Sequence, residues 1–285
     1  MSTPSTMTTP AGTPGPGSPD RPAAHGGGAH PRPVPPDGSA LSFHRLVRLE
    51  LRKALDTRAG RGLVIAVVLA TAVALGLTMW LLREEGAGFD ALLLATTTPQ
   101  SMLVPVLGIL TVCSEWSQRT ALITFTQEPR RLRVMAAKTV AAGVLGLAVL
   151  AATLALTVLS HVASMALADG GRVDVTLTLA QIVNLTVAQI FSVLQGVAFG
   201  ALFLSVPVAI VAFFLLPVVV NVLTTTVGFL GRHAQWFDTA VSAAPLMGRE
   251  WLTGQQWAHL GVTGLLWLVL PLAVGCWRVA RKEVK

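Results

Sequence analysis

The sequence predicts an all-α polytopic membrane protein, with six transmembrane helices, an N-terminal amphipathic interfacial helix and a disordered N-terminal tail. Three observations carry the prediction. Of 285 residues, 53% are hydrophobic and 12% charged, about half the charge of an average soluble domain, and mean hydropathy is +0.65. Such a chain lacks the mixed charges of a water-facing surface and fits lipid as its solvent. Six apolar stretches each reach the roughly 20 residues needed to cross hydrocarbon about 30 Å thick. Finally, the cations gather in alternate connections between those stretches, as a fixed membrane orientation requires.

Residues 1–40, beginning MSTPSTMTTPAGTPGPGSPD, hold almost no bulky apolar side chain and cannot bury enough surface to offset the entropy of ordering. They read as a disordered tail. A signal peptide is not expected, because a basic start followed by an apolar run is missing. The Pro-rich part either docks a partner that reads polyproline II helices or is a plain flexible tail. Residues 41–285 form the six-helix domain.

LSFHRLVRLELRKALD comes next. At about 100° per residue, Phe43, Val47, Leu51, Ala54 and Leu55 share one arc, with Arg45, Arg48, Arg52, Lys53 and Asp56 opposite. A helix of this kind lies along a membrane surface, its cations toward anionic headgroups. Leu49 and Glu50 break the pattern.

The six spans are expected at 62–82, 92–113, 140–160, 179–204, 206–230 and 257–277. TTTPQS interrupts the second, so its membrane part is expected to begin near Gln100, with 91–97 as a short outer helix. The fourth and fifth are separated only by LSVP and should meet in a tight turn. Outside the tail, fifteen Lys and Arg fall before the first span, between the second and third, and after the sixth, against Arg83, Arg172, Arg232 and Arg249 on the other side. The bias places both termini in the cytoplasm. Trp80, Trp236, Trp251 and Trp257 then lie near the outer interface, Trp116 and Trp277 near the inner one, as an aromatic belt. The net charge of +7 is charge for the inner leaflet and a partner, and makes no case for nucleic acid. Absent Tyr and abundant Ala, Val and Leu hint at a GC-rich genome, so the expected location is the plasma membrane of a bacterium.

Within those span limits stands no Asp, Glu, Lys or Arg. Ion-coupled carriers and intramembrane proteases generally need ionisable groups at depth, so any driving energy is expected from outside this chain. Cys113 and Cys276 sit at span ends as packing residues, without a disulfide framework. The His residues form no metal-binding spacing, and no catalytic set is expected. In the fourth span Gln181, Asn184, Ser192 and Gln195 fall within about 80° of one helix face, and Asn221 stands in the fifth. This polar stripe either lines a translocation path for an amphipathic substrate or holds neighbouring helices together by hydrogen bonds. Gly196 and Gly200, in GVAFG, permit close helix contact. The connection over 231–256, containing WFDTAVSAAPLMGREWL, is apolar enough to dip back into the outer leaflet, where irregular backbone needs a protein or cavity cover.

SEWSQRTALITFTQEPRRLRVMAAK, residues 114–138, is longer and more basic than a spacer between spans needs to be. Glu115 and Arg119 can pair across one helical turn, Trp116 can anchor that turn, and Pro129 separates it from a second basic helix. The pattern is either a docking element or a loop of topology-setting cations. This segment resembles the loop of ABC transporter permeases of the type-2 export class, which carry Glu-Tyr-Arg-x-x-Thr followed by Pro-Arg-Arg-x-x-Val-x-x-Ala-Lys. Glu115 and Thr120 match the first part, with Arg119 at a free position. Pro129, Arg130, Arg131, Val134, Ala137 and Lys138 match the second. Trp116 stands for the usual Tyr and Ser117 for Arg. The resemblance continues through LRKALDTR, GVAFGALFLSVPVAIV and GCWRVARKEVK, and departs at LSVP, where relatives often have Asn or a charge.

The resemblance implies six helices, an interfacial elbow helix and an outer re-entrant segment. Two permease subunits, as a homo- or heterodimer, would work with two ATP-binding subunits. The 114–138 loop would seat in the ATPase, with Glu115, Trp116, Arg119, Thr120, Arg130, Arg131 and Arg133 as coupling residues. The chain has no GxxxxGK[ST] phosphate loop, so hydrolysis would belong to the partner; the chain itself is expected to be no enzyme and to need no cofactor. The alternative is a non-transporting membrane subunit of an ABC-like sensing or immunity complex.

Overall fold

Six apolar runs become six long helices. The computed structural model describes residues 42–84, 86–117, 130–167, 175 and 177–281, with the backbone alone at 116 and 117. The tail over 1–40, Arg119, Thr120 and the Trp116 side chain lie outside the described residues. Among those described there is no strand, and six helices are long and apolar enough to cross a membrane.

Helix α1, Phe43–Asp56, is the expected amphipathic helix, with a different inward face. Leu46, Val47 and Glu50 are buried, while Phe43, Leu49 and Leu55 remain exposed. Leu46 and Val47 pack on Val134, Ala137 and Ala141, while Phe43, Leu49 and Leu55 fall about 120° apart around the helix, at roughly 100° per residue, and share no face. Thr57 ends α1 and caps α2, Arg58–Leu81, by accepting from Gly60 N at 3.1 Å.

Helix α3, Phe89–Ser117, runs unbroken through Pro99 and Pro105. The separate outer helix expected at 91–97 does not form. Thr96, Thr97 and Ser101 donate their hydroxyls to carbonyls of the preceding turn, at 2.7 to 2.9 Å. These three hydroxyls are thus satisfied inside the helix, while Gln100 bonds Thr153 on the neighbouring helix. Helix α4, Arg131–Leu167, has 37 residues and is about 55 Å long at roughly 1.5 Å per residue. It exceeds the 140–160 span at both ends. Near its C-terminus His161 Nδ1 hydrogen-bonds Ala87 O at 3.0 Å, and Ser164 Oγ accepts from Ala87 N at 2.7 Å. Both bonds hold the α2–α3 connection.

Helix α5, Leu179–Phe203, is the centre of the bundle and packs on α3 and α4. A Cβ on Gly196 would lie 2.0 Å from Pro105 O, and one on Gly108 of α3 would lie 2.2 Å from Val193 O. The GVAFG motif is thus a packing device, as expected. The chain reverses at Leu204, in the left-handed conformation at φ 53°, and Ser205 precedes α6, Val206–Thr226. This is the tight turn that LSVP predicts.

The connection to the last span is α7, Gly228–Arg232, then α8, Thr239–Ala243, among short 3-10 turns. It folds back on the bundle. Leu246 and Leu252 pack with Leu260 against Val187, Ala188 and Phe191. Irregular backbone is here covered by protein. The last span comprises α9, Gly254–Gly264, a π-helical turn over Leu265–Val269, and α10, Leu270–Arg281. A Thr253–Gln256 capping box starts it. In the π turn Leu270 N bonds Leu265 O, immediately before Pro271, which has no N–H to give. Trp267, in that turn, stacks on Phe199 with ring planes 4° apart and donates Nε1–H to Phe237 O at 2.7 Å.

The α3–α5 crossing sets a test. Gly196→Ala should lower the thermal unfolding midpoint of the purified protein in detergent, at an overpacking cost of about 1–3 kcal/mol. Gly76→Ala, where a Cβ meets nothing within 4 Å, should leave the midpoint unchanged or raise it. Equal losses in the two variants would contradict the close crossing.

Candidate functional site

One end of the bundle brings together the start of α2, the C-terminus of α3, the start of α4 and α1. Here four charged side chains alternate in sign. Lys138 Nζ lies 2.6 Å from Glu50 Oε2 and 3.2 Å from Glu115 Oε1. Lys53 Nζ lies 3.0 Å from Glu50 Oε1 and 2.9 Å from Glu115 Oε1. Lys138 also donates to Thr111 O at 3.4 Å. Glu50, Lys138 and Glu115 are 2%, 3% and 5% exposed; Lys53 is half-buried and closes the set. Withdrawing any one of these ions from water alone costs several kcal/mol. Two cations between two anions cancel the net charge and fill most of the hydrogen-bonding sites. Burial lowers the affinity of the Lys53 ammonium for its proton, but Glu50 and Glu115 more than offset this, so its pKa stands above the ordinary lysine value.

The cluster explains one irregularity of the sequence: Glu50 breaks the amphipathic pattern of α1 because it points at Lys138. The candidate spanning helices extend to Glu115 and begin at Arg131, so Glu115 and Lys138 belong to them, near their ends and outside the apolar limits 92–113 and 140–160.

Two arginines brace the same end. Arg131 Nη1 donates to Val279 O at 3.0 Å, and Arg278 Nη1 donates to Leu202 O. The acceptors lie in the last turns of α10 and α5, where helical carbonyls have no partner of their own and a cation meets the negative end of the dipole. Of the residues expected to contact a partner, Glu115 and Arg131 thus make contacts inside this chain. Arg130 is exposed and Arg133 half-buried at the start of α4. The expected Glu115–Arg119 pair lies outside the described residues.

The polar stripe divides in two. Asn184 Nδ2 donates to Gly248 O at 3.1 Å and Glu250 O at 2.8 Å, so it fastens the folded-back connection, and buried Gln181 lies one turn before it. Ser192 and Gln195 instead line a cavity of about 410 Å3 between α3, α4 and α5. Asn221 is exposed on α6 and is not a lining residue. Gln189, not singled out in the sequence, is buried at the cavity wall. Its Nε2 donates to Gly146 O at 3.0 Å and to Gln100 Oε1 at 3.4 Å, and Gln100 Nε2 donates to Thr153 Oγ1 at 2.6 Å. It lies about 60° off the stripe at roughly 100° per residue. Only its repeated company of amides in one apolar helix could have marked it.

With this geometry in hand, comparison with protein-family models and with curated proteins gives no match.

The ion cluster yields two predictions. Lys138→Met leaves Glu50 buried without its closest cation and should destabilise the protein by about 3–5 kcal/mol; Glu50→Leu combined with Lys138→Met should recover most of that loss. Thermal unfolding in detergent reads both. The raised pKa of Lys53 contributes stability that is complete below about pH 10.4, the unfolded value, and is lost as pH climbs through the native value. Lys53→Met should therefore flatten the alkaline limb of the stability profile above that pH.

Proposed function

We propose that the chain is the membrane-spanning permease subunit of an ATP-driven ABC exporter, in a bacterial plasma membrane with both termini in the cytoplasm. The observation that carries the reading is the ion cluster at the two roots of the 114–138 loop. Glu115 stands near the end of α3 and Lys138 near the start of α4, and Glu50 and Lys53 tie α1 to both. A partner pressing on the loop therefore displaces three helices together instead of bending one.

The pattern from Glu115 to Lys138, which resembles the type-2 permeases, supports a separate ATP-binding subunit as that partner. The cation bias supports the cytoplasmic side for the loop. The folded-back connection before the last span agrees with the same resemblance. In this reading ATP closes the ATPase dimer, the closure moves the loop, and the shift changes the packing of a permease dimer so that a path opens outward. The permease needs only two alternative packings that the partner biases. Glu115 acts as a positioning residue, holding the loop root, while exposed Arg130 faces the partner.

Co-expression with a phosphate-loop ATPase, sought first in the reading frame next to the gene, tests this. Arg130→Ala should cut coupled ATP turnover in proteoliposomes about tenfold, with the unfolding midpoint unchanged. Glu115→Gln should weaken coupling, with the ATPase still bound. Assembly and turnover unaffected in both variants would remove the loop from the coupling role.

A further inference from the structure

We infer that the cavity beside Gln195 is a binding site for an uncharged amphiphile that offers a hydrogen-bond acceptor, such as a carbonyl oxygen on an apolar body. Its volume of about 410 Å3 lies in the range of small-molecule pockets, roughly 300–1,000 Å3. Leu93 of α3, Leu150 and Leu154 of α4 and Phe191 of α5 form apolar walls, and Ala243 and Leu246 of the folded-back connection contribute to the lining.

Among the described residues the lining contains no Asp, Glu, Lys, Arg or His. A charged ligand would give up its hydration without gaining a counter-ion, which selects against ions. The polar groups differ in what they have left to offer. Gln189 and Gln100 already donate to Gly146 O and Thr153 Oγ1. Gln195 is 5% exposed and lines the cavity, yet its Nε2 is buried with no hydrogen-bond partner. A donor withdrawn from solvent and left unpaired is unfavourable, and a ligand acceptor removes the penalty. The last torsion of a Gln side chain is broad and roughly two-fold, so a rotation at the amide can present the donor to the cavity. Ser192, one turn earlier, adds a hydroxyl to the same wall. An acceptor held by Gln195 with its apolar body against Leu150, Leu154 and Phe191 uses both kinds of surface.

Calling the occupant the exporter's cargo rests on the permease reading; binding itself does not. The test is photolabelling of the full chain in phosphatidylcholine nanodiscs. One probe is a diazirine-bearing monoacylglycerol, the other a fatty acid with the same chain and diazirine. The neutral probe should mark peptides covering 185–195 and 239–247, at least fivefold above the carboxylate probe. Gln195→Met and the cavity-filling Ala243→Phe, each checked for monodispersity, should lower the labelling at least fivefold. Competition by excess unlabelled monoacylglycerol or by a short aryl alkyl ketone separates a membrane lipid from a smaller exogenous ligand of the same chemistry. A neutral-to-charged ratio near one on the unaltered protein overturns the site whatever the variants do, as does labelling confined to the outward faces of α2 and α6. No readout involves ATP or its hydrolysis, so a failure here is distinct from a failure of coupling.

Discussion

Two lysines held between two glutamates, largely out of water, fix where α1, α3 and α4 meet. Hydrophobic burial brings these helices together without choosing among nearby rotations and registers, because lipid and protein offer similar apolar surroundings. Charge supplies the choice. Rotating α1 to bring Leu49 inward would carry Glu50 away from Lys138 and leave a buried ion alone, a far larger penalty than any apolar mismatch. Removing both closest partners together is a different matter, since an apolar pair can fill the same space. The cluster therefore specifies an arrangement more than it adds net stability.

The remaining contacts at this end follow from the same placement. Once α4 is registered by Lys138, Arg131 comes within reach of the last turn of α10. Arg278 on α10 in turn meets the last turn of α5. Each guanidinium answers carbonyls that a helix end cannot satisfy for itself. Farther into the bundle the described residues form no ion pair. Gly108 and Gly196 let backbones approach, and the amides of Gln100 and Gln189 join α3, α4 and α5 by hydrogen bonds. Specificity thus passes from ions near the helix ends to amides and small residues at depth, in step with the rising cost of burying charge.

Much of the fold was legible in the sequence, because span length, hydropathy and cation bias are local properties. The six helices, the reversal at Leu204 and the folded-back connection all follow from such signals. Helix limits were less legible. TTTPQS looked like a break, but hydroxyl-to-carbonyl bonds within one turn let α3 continue through it. The ion cluster was not legible: Lys53 and Glu115 are 62 residues apart and Glu50 and Lys138 are 88, and nothing local shows that they meet. Glu50 was visible only as an irregularity, and Lys138 only as a span-flanking cation that completes a motif. The polar stripe was half legible. Helical spacing grouped Gln181, Asn184, Ser192 and Gln195 correctly on one face, but one helix face touches different neighbours along its length. Asn184 therefore meets the folded-back connection while Ser192 and Gln195 meet the cavity. Gln189 reaches the same cavity from a different angle.

Helix α4 is a single rod with no proline along its length. Its first turns hold Lys138, and its last turns hold His161 and Ser164 on the backbone of Ala87. A rod of this kind does not absorb a twist at one end; it delivers it to the other. Rotation of the charged root by a few degrees would therefore arrive at the α2–α3 connection on the far side as a sideways pull on Ala87, without any hinge in between. In mechanical terms α4 is a drive shaft, and the small His161–Ser164–Ala87 contact is its output coupling.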